Sequence, residues 1–164
     1  MVPNKQFEPD LYRKYDGPAK KALAEHLRCM GFVVELIKEN YGVDLKAFKK
    51  KKGSNIYTNH TYLHEVEVSR NWKGDEPPPN FWKEFRIPYR KHKLLIGLPS
   101  RSSLKFWILN VIYTAAIYID SKKLLERSYE LRRVRIAPNF YGPDKFYIFD
   151  KKEFNYTKLR KEII

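Results

Sequence analysis

Apolar and polar residues change period several times along this chain, and each change marks an element. Between residues 18 and 30, Ala19, Ala22, Leu23, His26, Leu27 and Met30 recur at three- and four-residue spacing, which predicts an amphipathic helix. Asp16 is placed to cap it, Pro18 suits its first turn and Gly31 suits its stop. FVVELIKE, from residue 32, predicts a strand, with a turn at Asn40, Tyr41 and Gly42. GVDLKAF then alternates, with Val43, Leu45 and Ala47 on one side and Asp44, Lys46 and Phe48 on the other. KKKKGSN at 49–55 reads as a tight basic turn, and IYTNHTYLHEVEVS as the strand that returns from it.

Regular alternation stops at residues 71–83, NWKGDEPPPNFWK, a loop stiffened by consecutive prolines. EFRIPYRKHKLLIGLPSRSS holds a short strand followed by a basic turn or helix start. LKFWILN and AAIYID are apolar enough to be buried strands, and SKKLLERS suits a short helix. YELRRVRI and DKFYIFDKKEF read as two late strands separated by APNFYGP, before a basic, polar tail. Residues 1–15 read as an irregular arm, with Tyr12 and Tyr15 as packing points. Neither a repeat nor a linker divides the chain, so the expectation is a single domain over residues 1–164. Helix first, then three strands, then mixed elements predicts an α/β fold with one central mixed sheet flanked by helices.

Charge changes the picture most. Lys and Arg number 33 and Asp and Glu 19, giving 33 − 19 = +14. Such a surplus favours a polyanionic partner, because each phosphate contact releases condensed counterions. Nucleic acid is the first partner to consider, an anionic membrane surface the second, and a merely basic soluble protein the plain alternative. Cys29 is the single cysteine, so the chain makes no internal disulfide or multi-cysteine metal site, and a buried inert thiol is expected. The N-terminus is polar and holds Pro3 and Pro9, unlike a signal peptide. The longest apolar run, Phe106 to Ile119, is broken by Asn110 and Thr114 and is too short for a bilayer. The expectation is a soluble protein of a reducing compartment, cytoplasmic or nucleoid-associated, with no membrane partner. Serine-hydrolase, phosphate-loop and zinc-site spacings are missing.

Against this surplus, one strand carries two acids side by side. In TYLHEVEVSRNW, alternation puts Glu65, Glu67 and Ser69 on one face and Val66 and Val68 on the other. Residues i and i+2 lie roughly 6.6 Å apart on a strand, and a neighbouring strand runs about 4.8 Å away. Asp44 on that neighbour can therefore converge with Glu65 and Glu67. Unpaired, such a cluster raises at least one carboxyl pKa and titrates as a unit. A divalent cation relieves the repulsion, and oxygen-only donors suit Mg²⁺ or Mn²⁺. Beside a basic surface, such an ion suits phosphodiester hydrolysis. The competing reading is a solvated strand face with its acids outward.

The helix at 18–30, YGVDL with Asp44, and HEVEV with Glu65 and Glu67 resemble the PD-(D/E)xK nuclease superfamily. The likeness spans residues 18–72, about a third of the chain. It implies a restriction-endonuclease-like core and a metal-dependent DNA endonuclease. Asp44 and Glu65 would ligate Mg²⁺ or Mn²⁺, and Glu67 would ligate or act as general base. Roles in recombination, repair, restriction or junction resolution follow from the likeness, with branched DNA as a substrate and a homodimer as the assembly. The family's usual lysine is missing. In one register Glu67 takes its place, as in the E-x-E variant. In the other Ser69 does, with Arg70 the nearest cation, which would weaken or silence the site. Val43 stands where the family has a proline. Many members add an acid on the first helix, and Glu25 is the candidate, although its place off the apolar stripe favours a solvated helix glutamate.

Basic and aromatic residues complete the expectation. Arg90 and Lys91 are candidates to hold the scissile phosphate, as the resemblance implies, while Arg70 and Lys49, Lys50, Lys51 and Lys52 are candidates to contact backbone phosphates. Trp72, Phe81 and Trp82 can stack on unpaired bases or cap the core. His64 reads as packed or solvated, and His60 falls near the turn. Two further readings stand beside the nuclease. One is a non-catalytic nucleic-acid-binding protein that retains the fold; the other is a basic RNA-binding protein.

Overall fold

The computed structural model describes residues 16–37, 43–78, 82–137 and 139–161. The arm at 1–15 with Tyr12 and Tyr15, the turn at Asn40, Tyr41 and Gly42, and Phe81 lie outside the described residues. The elements are α1 (Gly17–Cys29), β1 (Val33–Leu36), β2 (Leu45–Lys50), β3 (Tyr57–Ser69) and β4 (Glu84–Pro88). A 3₁₀ turn, Tyr89–Lys91, runs into the short α2 (His92–Ile96). Then come β5 (Ser102–Asn110), β6 (Ala115–Asp120), α3 (Lys122–Leu125), β7 (Glu130–Ala137), β8 (Phe140–Asp150) and β9 (Asn155–Lys158).

Six strands form a mixed sheet in the order β1-β2-β3-β5-β6-β9. β3 and β5 run parallel and the other neighbours antiparallel. The fold is broadly α/β, with the mixed sheet the sequence predicts. One sheet flanked by helices is not what results, however. A second sheet, β4-β8-β7, packs on one face of the first, and α1 covers the other. Phe85 and Ile87 of β4 pair with Phe149 and Tyr147 of β8, and all four turn inward onto Leu63, Phe106, Ile117 and Ile119. Alternation marks each of these segments as a strand but does not say which partner it takes. β9 escapes the sequence pattern because NYTK is polar and sits at an edge, where one side stays wet.

On the other face Leu23 and Leu27 of α1 pack on Leu45, Val66, Trp107 and Leu109. The buried stripe of α1 is Ala19, Lys20, Leu23, Ala24, His26 and Leu27, so Met30, expected in it, is exposed past the helix end. Asp16 occupies the N-cap position, yet its side chain makes no capping hydrogen bond; Pro18 and Gly31 take their expected places, Gly31 at φ +94°. Val43 packs with the second-sheet core rather than beside Leu45, because the chain bends at Asp44 before β2 begins. Cys29 is free and only half-buried, not the enclosed thiol expected. Among the described residues, no helix is long and apolar enough to cross a membrane.

The β5–β6 hairpin rests on Asn110, which is fully buried. Its Oδ1 accepts from the Thr114 and Ala115 N–H groups at 2.8 and 3.0 Å, and its Nδ2 donates to the Gly74 carbonyl and Thr114 Oγ1 at 2.9 and 2.7 Å. One side chain thus ties the hairpin to the loop after β3. Asn110→Leu strands two backbone donors and one carbonyl, so it should lower the unfolding free energy by about 3 kcal/mol. Urea denaturation checks this, and a loss under about 1 kcal/mol would remove the pinning role.

Candidate active site

Asp44 is held by the strand beside it. Its backbone N–H donates to the His64 carbonyl at 3.1 Å, and its Oδ2 accepts from the Val66 N–H at 2.9 Å. Those two contacts bracket Glu65 on β3 and set the Asp44 carboxyl beside that of Glu65. The other Asp44 oxygen, Oδ1, meets Lys20 Nζ of α1 at 3.1 Å. Lys20 lies on the buried stripe, so its stem packs while its ammonium reaches the strand end.

Glu65 is only 4% exposed. It lies opposite Phe106 of β5 and faces the second sheet. Lys91, the last residue of the 3₁₀ turn, reaches it from that sheet: Nζ stands 2.9 Å from Glu65 Oε2 and 3.9 Å from Glu67 Oε1. Glu67 is the open member, with its side chain 45% exposed. Asp16 joins the group from the start of α1. Burial, then Glu67 and Asp44, raise its carboxyl above the usual range, with Lys20 and Lys91 opposing.

Burial pushes the Glu65 carboxyl up to about 8; Lys91 pulls it down, and Asp44 adds to the rise. Burial by itself would lower Lys91, but Glu65, Glu67 and Asp44 together hold it above its ordinary value. Lys91 therefore stays an ammonium. Glu65 keeps its proton near neutral pH, beside the Lys91 ammonium. A small cleft of about 10 Å³, lined by Glu65, Glu67, Arg86 and Lys91, opens beside it. That is close to the ~10–15 Å³ a single water needs.

The structure thus brings Asp44 and Glu65 together, but Glu67 joins them only through Lys91. Among the described residues, no group of three or more His, Cys, Asp or Glu side chains is placed to hold a metal ion. The three-acid grip expected from the sequence is in this respect not formed: an ammonium stands between Glu65 and Glu67. What remains for a hard cation is an oxygen-only donor pair, Asp44 and Glu65, with a proton to exchange. Glu67 lies close by on the same strand face.

Other predicted residues fall elsewhere. Glu25 is half-buried further along α1, about 13 Å along the axis from Asp16, which is the acid the helix does deliver. Ser69 ends β3 half-buried, and Arg70 just beyond it is exposed. Arg90 is exposed on the same turn as Lys91. Lys49, Lys50, Lys51 and Lys52 are exposed; Lys50 pairs with Tyr57, roughly 26 Å along β3 from Glu65, while Lys49, one residue past the Phe48–Thr61 pair, lies nearer. Trp72 is buried in the core, its Nε1–H donating to the Glu76 carbonyl, and Trp82 packs edge-on to Phe85. Neither is a free stacking platform. His64 is buried against Trp107, and His60 pairs with Ser103 Oγ at 3.0 Å.

Lys20 and Arg86 are not singled out by the sequence, and Asp16 is read there only as a helix cap. Asp16 and Lys20, four apart, share a helix face, and that spacing was the available clue. No known protein family, curated protein or solved structure matches the chain.

Glu65 binds its proton up to about pH 8 when folded, against an ordinary value of 4.5. Its protonation therefore stabilises the fold fully below about pH 4.5, and that contribution is lost as pH rises toward 8, on the order of a few kcal/mol. Without divalent ions, the melting temperature of the wild type relative to Glu65→Gln should fall steadily between pH 5 and 8.5. A difference that stays flat would show that Glu65 titrates normally.

Proposed function

We propose that the protein is a metal-dependent endonuclease acting on DNA. The observation that carries this reading is the Asp44–Glu65 carboxyl pair set against the Lys91 ammonium at the edge of a strongly basic protein. A restriction-endonuclease-like core belongs to the same reading. In its support, a helix leads, Asp44 precedes one strand, and the glutamate pair follows on the antiparallel neighbour.

Asp44 and Glu65 would hold Mg²⁺ or Mn²⁺, displacing the proton on Glu65. Bound there, such an ion polarises a phosphoryl oxygen and acidifies a water. Glu67, half in solvent, accepts the proton of the attacking water. Lys91 supplies the cation that the E-x-E register lacks on β3, and stabilises the charge gathering on the phosphate oxygens. Lys20, 3.1 Å from Asp44 Oδ1, orients that carboxyl group. Arg86 and Arg90 steady the DNA backbone. Branched DNA and a homodimer, two centres for two strands, complete the proposal.

A second reading has its own observation. Lys91 already occupies Glu65 Oε2 at 2.9 Å, and no three-carboxylate group forms among the described residues. That favours a nucleic-acid-binding protein that keeps the fold without the chemistry.

Incubation with branched and linear duplex DNA, with and without Mg²⁺ or Mn²⁺, separates the two. Cleavage only with metal is expected. Asp44→Asn and Lys91→Ala should each cut it by roughly 10²-fold or more while DNA binding persists. Binding with no cleavage under any divalent ion leaves the second reading standing.

A further inference from the structure

On the sheet face opposite Glu65, a cavity of about 320 Å³ opens beside the C-terminal end of α1. Small-molecule sites run about 300–1,000 Å³. Three cations line it, Lys49 of β2, Lys105 of β5 and Arg160 after β9. None of the three makes an ion pair with a described residue. They are instead held over rings or at the chain end. Lys49 Nζ stands 4.9 Å from the Phe32 ring centre, Lys105 Nζ stands 5.2 Å from that of Tyr118, and the Arg160 N–H donates to His26 Nδ1 at 2.9 Å.

The cavity wall also holds an unmet donor. His64 is 2% exposed and lies beside Lys105 across the parallel pair. Its Nδ1 accepts from the Trp107 Nε1–H at 2.9 Å, and indole only donates, so the ring hydrogen is on Nε2. That Nε2 is buried and finds no acceptor among the described residues. Burial and Lys105 also keep the ring neutral, lowering its pKa to about 3. A buried N–H with no acceptor among the described residues, in a cavity lined by three cations, calls for an anionic oxygen.

We propose that this cavity binds the phosphate of a nucleotide, with Lys49, Lys105 and Arg160 around the anion and His64 Nε2–H donating to one oxygen. The half-buried Tyr118 and Tyr62 offer ring surface to the base. Phosphate esters reach such a site from two sources, a free mononucleotide or the backbone of a single strand. The site stands apart from the nuclease reading: its residues alternate with Glu65 and Glu67 along β3 and face the other way.

Trp107 in the cavity wall reports binding by its fluorescence. The full-length protein is titrated with deoxythymidine monophosphate, with deoxythymidine, and with a short oligodeoxythymidylate. Saturable binding is expected for the monophosphate, the oligomer or both, with the bare nucleoside binding at least about tenfold more weakly. Binding of the monophosphate assigns a free nucleotide; binding of the oligomer alone assigns a strand. Lys105→Gln and Arg160→Gln, which alter partly or fully exposed side chains, should each weaken binding about tenfold, whereas Glu65→Gln should leave it within about twofold. The proposal is overturned by any of three results. These are no saturable change with either phosphate ligand, nucleoside and monophosphate binding alike, or affinities untouched in both cation variants. Loss of binding in Glu65→Gln would move the ligand to the other face and equally end it.

Discussion

The carboxylate of Asp44 is the tie on which the candidate centre depends. One oxygen takes the Val66 N–H in the middle of β3, and the other takes Lys20 from α1. A single side chain therefore fixes where the helix start meets the sheet and aims a charge at Glu65. It succeeds because the chain bends before β2, freeing Asp44 from strand geometry while its backbone still bonds to β3. Buried charge of this kind survives only with hydrogen bonds and counter-charge in place, and both are supplied by neighbouring elements.

Counter-charge explains the second sheet's contribution. β4 pairs with β8, and that pairing carries the Tyr89–Lys91 turn over the Glu65 face. Lys91 then arrives from across the crossover between β3 and β5, not from β3 itself. The centre holds four acids against Lys20 and Lys91, with a proton retained on Glu65. Such a site is poised to exchange that proton for a more strongly bound cation, and this links its electrostatics to the proposed hydrolysis.

Local pattern carried much of this into view. Helical spacing marked α1, alternation marked β2 and β3, and the GVDL and HEVEV stretches singled out Asp44, Glu65 and Glu67. Lys91 was picked out as a phosphate contact, but its pairing with Glu65 was hidden. The two are 26 residues apart and meet only because β4 joins a sheet that alternation cannot assign. Asp16 was read as a cap, since capping and charge clustering use the same residue type at the same place. Lys20 was invisible for a different reason: a lysine within an apolar stripe reads as solvated until its target is known. Lys50 to Lys52 of the four-lysine run, conspicuous in the sequence, lie at the far end of β3, because strand length separates them from Glu65.

Manganese binding to the DNA-free protein, followed by calorimetry near pH 7 in buffers of different ionisation enthalpy, tests the central claim most directly. The account predicts saturable binding with proton release, as the metal displaces the proton held on Glu65, and loss of both in Asp44→Asn. Binding that persists unchanged in Asp44→Asn, or no binding at all, would contradict it.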